Sequence, residues 1–456
     1  MHTLPLISHN SLDKTIAWRK DTVISVKTFL ADVDYLAGLL PSGKHILNLC
    51  RDRYHFTVGL AAAIVSNKVS VLPPTHTPEM LRQLQEFAPD VFCLCDDDDC
   101  DIRLPRLNYP KISHKNASEQ ETKEASIPQV DAEQIVAIVF TSGSTGAPIP
   151  HSKSWGSLVK NIQAQIQRLG LVANGNYSIV GTIPPQHMYG LESTVLLPLL
   201  SGNALSNTQP FYPADIIGAL ESIPTPRILV STPLHLRLLS DAELKTPELT
   251  LTLSATAPLS LTLAHTVEVS LDTQLIEIYG STETGQIATR LTTAAKAWHL
   301  LPSVELTQRD DKTWAEGGHI ESAVPLNDII EIIDSHFFLL HGRTQDLINI
   351  AGKRSSLANL NHHLNAIEGV VDGTFFMPDE LSHDHVTRLS ACVVAPGFTA
   401  SSLLAELRLC IDPVFLPRPL LFVESLPRNS TGKLSREALK SIFSVSTNEE
   451  TSCTQS

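Results

Sequence analysis

The sequence predicts an α/β fold, with layered βαβ units and mostly parallel strands, followed by a smaller, separate C-terminal body. Three observations carry this. Short apolar runs alternate with helical segments across residues 45–110, and further strand-like runs recur as far as residue 280. From about residue 345 the pattern restarts on a smaller scale. A chain of 456 residues is also too long for one ordinary core.

Taken in order, "HILNLC" (45–50) and "VSVLPP" (69–74) read as strands flanking the small-residue helix "TVGLAAAIVS" (57–66). Residues 111–130 are polar and read as a surface connection. The apolar run Ile135 to Phe140 then empties into a loop bare of large side chains. Beyond it Trp155, Leu158, Val159, Ile162, Ile166 and Leu169 fall at helical spacing, with Gly170 as the stop. Strands follow at "YSIVGTI", "RILVST", "LTLSAT" and "QLIEIYG", and 328–343 reads as a hairpin turning at Asp334-Ser335-His336. The C-terminal segment offers a helix near 356–368, then the strands "HVTRLSACVVA" and "PLLFVESLP". The last dozen residues are expected to be disordered.

Composition is that of a soluble globular protein, 43% hydrophobic and 18% charged. No apolar run is long enough for a membrane span, and the first residues lack a signal-peptide pattern, so a cytoplasmic protein is expected. A net charge of −14 argues against nucleic acid as a partner. The seven cysteines are scattered without CxxC pairs, which suits reduced thiols. Cys93, Cys95 and Cys100 flank four aspartates (96–99), a run read as a solvated loop after a strand rather than a metal site.

Four stretches carry the chemistry. In "FTSGSTGAP", Thr141, Ser142, Gly143, Ser144, Thr145 and Gly146 form a hydroxyl- and amide-rich turn suited to phosphate oxygens, although such loops are often plain turns. It is not a Walker loop, because no GK[ST] follows, and this excludes a Walker-type kinase. "IEIYGSTETG" (276–285) again follows a strand: Tyr279 can stack on a base, Thr282 touch a phosphate, and Glu283 bind Mg²⁺, or the stretch is a turn. Asp328 and Arg343 can hold a ribose or form a surface ion pair. "LPRNSTGKLSRE" (426–437) presents Lys433 on a short loop, as a solubilising charge or as a group swung onto reacting atoms.

In this order the four stretches resemble the adenylate-forming superfamily: acyl-CoA synthetases, aryl-acid ligases, peptide-synthetase adenylation domains and luciferases. The resemblance covers roughly residues 40–440 and is specific as a set, although no single piece is. It implies an N-terminal core at 1–344 that includes a distorted β-barrel, a small mobile α+β lid at 345–443, and a tail at 444–456. It implies ATP and Mg²⁺, and two steps: a carboxylate attacks the α-phosphate, then a thiol displaces AMP. Thr141 to Gly146 would hold the β- and γ-phosphates, and Tyr279 with Gly280 the adenine. Thr282 would meet the α-phosphate, Glu283 the metal, and Asp328 and Arg343 the ribose. Lys433 would bridge carboxylate and α-phosphate, Gln345 would be the hinge, and "NIAGKR" (349–354) the loop swinging toward the thiol.

The sequence departs from that pattern in three places. Ile149 stands where the family has a lysine after the loop's proline, and Lys153 is the candidate replacement for that charge. Gln345 occupies a hinge position that often holds an acid or lysine, and the region before the loop is short. For the acid substrate, "PPQHMYGLE" (184–192) makes His187 the gate between acyl and nucleotide sites, with Tyr189 and Gly190 beside it. Ala255, Thr256 and Ala257 would line a slot for a flat aromatic or short acyl group.

The stretches "STGAPIPHSKSW", "HMYGLE" and "DPVFLPRPL" are similar to ligases of aryl polyene and related pigment pathways. That likeness implies loading of an aryl or acyl acid onto an acyl carrier protein. Lys353, Arg354, Arg418, Arg428 and Arg436 would serve docking of the acidic carrier or, equally, the phosphates of coenzyme A. A catalytically inactive relative that binds nucleotide or acyl ligand is the reading from a different class, kept open by Ile149.

Overall fold

The computed structural model describes the chain except residues 1, 20–21, 98, 112–125, 143–147, 311, 344–346, 351–352, 378–388, 430–433, 436 and 444–456. The predicted phosphate-loop residues Gly143, Ser144, Thr145 and Gly146, the hinge Gln345, Lys433, Arg436 and the expected disordered tail therefore lie outside the described residues. So does most of the 111–130 connection.

Two large sheets carry the N-terminal three-quarters. The first has six strands in the order Pro148–Ser154, Ile135–Ser142, Val69–Leu72, His45–Asn48, Phe92–Cys95, Arg106–Asn108. All of its pairings are parallel except the first, a hairpin. The second has eleven strands, and its middle, Ser178–Gly181, Arg227–Ser231, Leu251–Ser254 and Leu275–Ser281, is parallel as the alternating pattern predicted.

Between the sheets lie the helices Arg53–Val65 and Trp155–Leu169, whose apolar faces join the largest buried cluster. Each begins on a side-chain cap. Asp52 accepts from the N–H groups of Tyr54 and His55, and Ser154 from that of Ser157. Gly170 ends the second helix at φ 63°, a left-handed position. Arg53 is fully buried, and its guanidinium donates to the carbonyls of Gly181 and Ile183, so one sheet's helix is tied to the other sheet's strand end.

The region expected as a distorted barrel is an antiparallel meander, Val304–Arg309, Lys312–Gly317 and Ile320–Pro325, beside the antiparallel end of the long sheet. The predicted hairpin is Asp328–Ile332 with Phe337–Arg343, and the Asp334 carboxylate closes its turn by accepting from His336 N–H.

The C-terminal part has its own apolar cluster, built from Ile348 to Phe415. Its helix Leu357–Asn365 and the strands Ser390–Val394 and Leu420–Phe422 agree with the sequence pattern, and the strand Asp372–Phe376 is one that the sequence reading did not identify. Ser390–Val394 is the middle strand of this sheet, bonded on both sides, so it has no edge with which to pair across a dimer.

The acidic run after Cys95 is also more than a solvated loop. Asp96 accepts from the N–H groups of Arg51 and Asp52 and pairs with His55 at 2.9 Å. Among the described residues no helix is long and apolar enough to cross a membrane.

Candidate active site

Four parallel strands of the long sheet, Ser178–Gly181, Arg227–Ser231, Leu251–Ser254 and Leu275–Ser281, lead at their C-terminal ends into one cleft of about 590 Å³. Side chains and amides at such ends are turned toward a ligand by the fold itself, since the strands stop and their loops diverge there. His187 follows the strand Ser178–Gly181, Ala255 to Ala257 follow Leu251–Ser254, and Tyr279 closes Leu275–Ser281. Asp328 and Gly342 enter from the hairpin, and Asn361, Asp372, Arg428 and Leu434 line the opposite side.

The turn after Tyr279 is tightly built. The Ser281 hydroxyl accepts from Thr284 N–H, and Thr284 Oγ1 accepts from Ser281 N–H, each at 3.2 Å. These reciprocal bonds set Thr282 and Glu283 at the tip. A Cβ on Gly280 would stand 2.2 Å from the Gly285 carbonyl oxygen, so a side chain is excluded there. Gly285 has φ 72°, and a Cβ would meet Asn161 Nδ2 at 2.5 Å and Glu192 Oε1 at 2.8 Å. His319 Nε2 lies 2.9 Å from the Thr284 carbonyl. Burial pushes this imidazole down to about 4, so at neutral pH it is an uncharged donor.

Lys153 is buried, and its ammonium donates to the Glu283 carbonyl at 2.9 Å. Burial lowers its pKa while Glu192, Glu283 and Glu321 hold it charged. Glu192, fully enclosed, is pushed up to about 7 by burial, and Lys153 pulls it back. Thus the second strand of the 135–154 hairpin reaches under the Glu283 turn. His151, on the same strand, lies 2.9 Å from Thr141 Oγ1 and 3.8 Å from Glu283 Oε1, and its pKa is lowered chiefly by burial.

Tyr279 donates its hydroxyl to Asp328 Oδ2 at 2.6 Å, and its ring leans on Trp298 and Phe338. Asp328 and Arg343 are cross-strand partners in register. His187 accepts through Nδ1 from Tyr189 N–H at 3.3 Å, which turns the opposite edge of its ring away from that bond. It is half-buried on the cleft wall rather than a closed-off core histidine. Tyr189 is buried against the cleft, whereas Gly190 packs behind it, where a Cβ would clash with the Pro184 carbonyl at 2.0 Å. Thr256 holds φ 79°, a strained setting for a β-branched residue, on the candidate acyl wall.

The cleft thus brings together Thr282, Glu283's turn, Tyr279, Asp328, His187 and 255–257, with Thr141 linked through His151. Lys433 lies outside the described residues, but Arg428 and Leu434, which flank its loop and pair across it, both line the cleft. One expected docking residue has another partner: Arg428 makes a two-bond ion pair with Asp372, at 2.7 Å each.

Sequence reasoning missed Glu277, Arg290 and Trp298. Glu277 is buried and accepts from Arg290, from the Thr292 hydroxyl at 2.8 Å and from Leu259 N–H at 3.1 Å, the last fixing the end of the acyl wall. The Arg290 guanidinium in turn covers the Trp298 ring at 4.4 Å. The signal was present, since Glu277 is a lone acid in an apolar strand and shares a face with Tyr279 two residues on.

An Mg²⁺ ion with bound phosphates fits this donor set. Glu283 offers a hard carboxylate oxygen, one-third exposed, on a turn held rigid from below.

Residues 9–336 match the protein family described as "AMP-binding enzyme". A 4-coumarate–CoA ligase of Rhodobacter capsulatus is 29% identical over 306 residues, 66% of this chain and 75% of that one. A 4-coumarate–CoA ligase of Halorhodospira halophila is 30% identical over 308 residues, 64% of this chain and 73% of that one. Among solved structures, the o-succinylbenzoate CoA synthetase of Bacillus subtilis in complex with its acyl-adenylate superposes with a TM-score of 0.80. It covers 96% of this chain and 99% of that one, at 17% identity, and establishes the fold.

Proposed function

This chain belongs to the AMP-binding enzyme family, and from that premise we propose that it activates an aryl or short acyl acid and passes it to the phosphopantetheine thiol of an acyl carrier protein. It is an AMP-forming acid–thiol ligase that uses ATP and Mg²⁺. Supporting the proposal is one observation above others: the acyl wall, the Tyr279–Asp328 pair and the flanks of the Lys433 loop all face a single cleft.

In our reading Tyr279 and Asp328 seat the nucleoside, with the ribose hydroxyls on the carboxylate. Thr141 to Gly146 hold the terminal phosphates, and Thr282 the α-phosphate. His187 separates acid from nucleotide, and the small side chains at 255–257 leave a flat slot. Lys433 neutralises charge between the carboxylate and the α-phosphate while the first bond forms. Glu283 would hold Mg²⁺, which would supply the remaining charge neutralisation on the phosphates. We take residues 1–344 and 345–443 as two bodies hinged at Gln345, with the second body's rotation exposing the adenylate to the thiol.

A second acceptor, coenzyme A, is favoured by the names of the relatives, which are 4-coumarate–CoA ligases. The carrier-protein reading rests on the likeness to pigment-pathway ligases and on exposed basic residues such as Arg418. Reduced thiols point to a cytoplasmic setting. The test is pyrophosphate release across benzoic, cinnamic and short to medium fatty acids, followed by competition between carrier protein and coenzyme A. Release with none of these acids would overturn the proposal, and a clear preference for coenzyme A would replace the acceptor.

A further inference from the structure

On the face of the six-stranded sheet away from the cleft's machinery, three cysteines meet. In the strand Phe92–Cys95, residues two apart share a face, so Cys93 and Cys95 point the same way. They enter the apolar cluster of Leu84, Ala88 and Leu104. Cys100 returns to them from the following loop, which is pinned where Arg106 donates to the Cys100 carbonyl at 2.9 Å. The three Sγ atoms all lie within 4.8 Å of one another, with Cys93 and Cys95 buried and Cys100 half-buried.

We propose that Cys93, Cys95 and Cys100 form a three-thiolate site for a soft divalent cation of the Zn²⁺ type. Sulfurs bound to tetrahedral zinc at about 2.3 Å stand roughly 3.8 Å apart, so sulfur shifts of about 1 Å or less close the site. The buried pair supplies a rigid base, and half-exposed Cys100 gives the cation a way in. A fourth position falls to an oxygen: Asn108 Oδ1 is 3.5 Å from Cys95 Sγ, and water can reach from the Cys100 side.

Binding follows Zn²⁺ + 3 RSH → [Zn(SR)₃]⁻ + 3 H⁺, and Arg106 stands close enough to Cys95 to offset the residual negative charge. Without a cation, burial first and the neighbouring sulfurs next raise the pKa of the buried pair, Cys95 to about 11. Core packing alone explains Cys93 and Cys95 as small hydrophobes, but not the convergence of a third, half-exposed sulfur on them.

The test uses the full, untagged chain, stripped by a chelator under reducing conditions. Zn²⁺ is titrated against a chromophoric indicator, and Cd²⁺ is followed by its thiolate charge-transfer absorption. Wild type takes up one equivalent of either ion, and peptides carrying Cys93, Cys95 and Cys100 are protected from alkylation. Cys100→Ser, at the most accessible position, keeps its fold by circular dichroism and loses affinity at least a hundredfold, whereas Cys410→Ser, at an exposed thiol, binds as wild type. Undiminished zinc affinity in Cys100→Ser, or Cd²⁺ uptake without a thiolate band, overturns the site. Pyrophosphate release by the stripped protein reports on the ligase separately, so failure of either reading leaves the other intact.

Discussion

The ammonium of Lys153 donates to the backbone carbonyl of Glu283 at 2.9 Å, joining the second strand of the 135–154 hairpin to the tip of the 280–285 turn. From sequence this lysine was the candidate substitute for the charge missing at Ile149. Its bond to Glu283 gives it a positioning role, in which the turn sits on a buried cation.

Lys153→Met should therefore raise the Mg²⁺ concentration for half-maximal pyrophosphate exchange by about tenfold, the value of one buried hydrogen bond to a charged donor. It should also cost about 3 kcal/mol of stability, because Glu192 loses its counter-charge. Glu283→Gln should raise the Mg²⁺ requirement too. A rise in the KM for ATP at an unchanged Mg²⁺ requirement would assign Lys153 to the phosphates instead.

Glu192 sets a pH dependence. Its folded pKa, about 7, lies above the ordinary 4.5, so folding takes up a proton in between and stability falls as pH rises from about 4.5 to 7. The full cost is roughly 3 kcal/mol. Glu192→Gln should flatten that decline, as read by denaturant midpoints at pH 5 and pH 7.5. An equally steep decline in the variant would remove Glu192 as the cause.

Tyr279→Phe deletes the hydroxyl that orients Asp328. The KM for ATP should rise three- to tenfold, about what one hydrogen bond to a carboxylate is worth, while the acid's KM changes little. Asp328→Ala should be the more severe of the two. Equal effects on both substrates would argue against a nucleoside seat.

Lys433→Ala should reduce carboxylate-dependent pyrophosphate release by about a hundredfold or more, yet leave thiolysis of a supplied acyl-adenylate largely intact. Equal loss of both half-reactions would count against the two-body mechanism.

Gly280→Ala drives a methyl group into the Gly285 carbonyl and should cost over about 2 kcal/mol together with most of the activity. Gly218→Ala is the control. No atom lies within 4 Å of its Cβ position in the helix Pro213–Glu221, so it should stabilise by about 0.5–1 kcal/mol.

The elements were legible where a local pattern decides them. Gly170 ends its helix as read, and the Asp334 turn closes its hairpin because a short acid there can bond the backbone ahead of it. Individual site residues such as Tyr279 and Asp328 could be named from their loops, but their mutual bond could not, since 49 positions separate them. The same holds for Lys153, whose partner is 130 residues away, and for Asn361 and Asp372, which reach the cleft only through the packing of the C-terminal part. Cys100 is the complementary case. Its neighbours in sequence are charged, while its neighbours in space are sulfurs.

The two ends of the cleft are anchored by different means. The glycine pair 280/285 and Lys153 lock the turn at 280–285 through backbone atoms, whereas the segment after Ala257 is held where Leu259 N–H donates to Glu277. Ala255 and Ala257 carry only methyl groups, which take no part in the bonds that hold either end. In the proposed reading of that segment as the acid's wall, new acid preferences can evolve by substitution at those two alanines while the 280–285 turn stays fixed, which makes them the place where diverging copies of the enzyme would first part company.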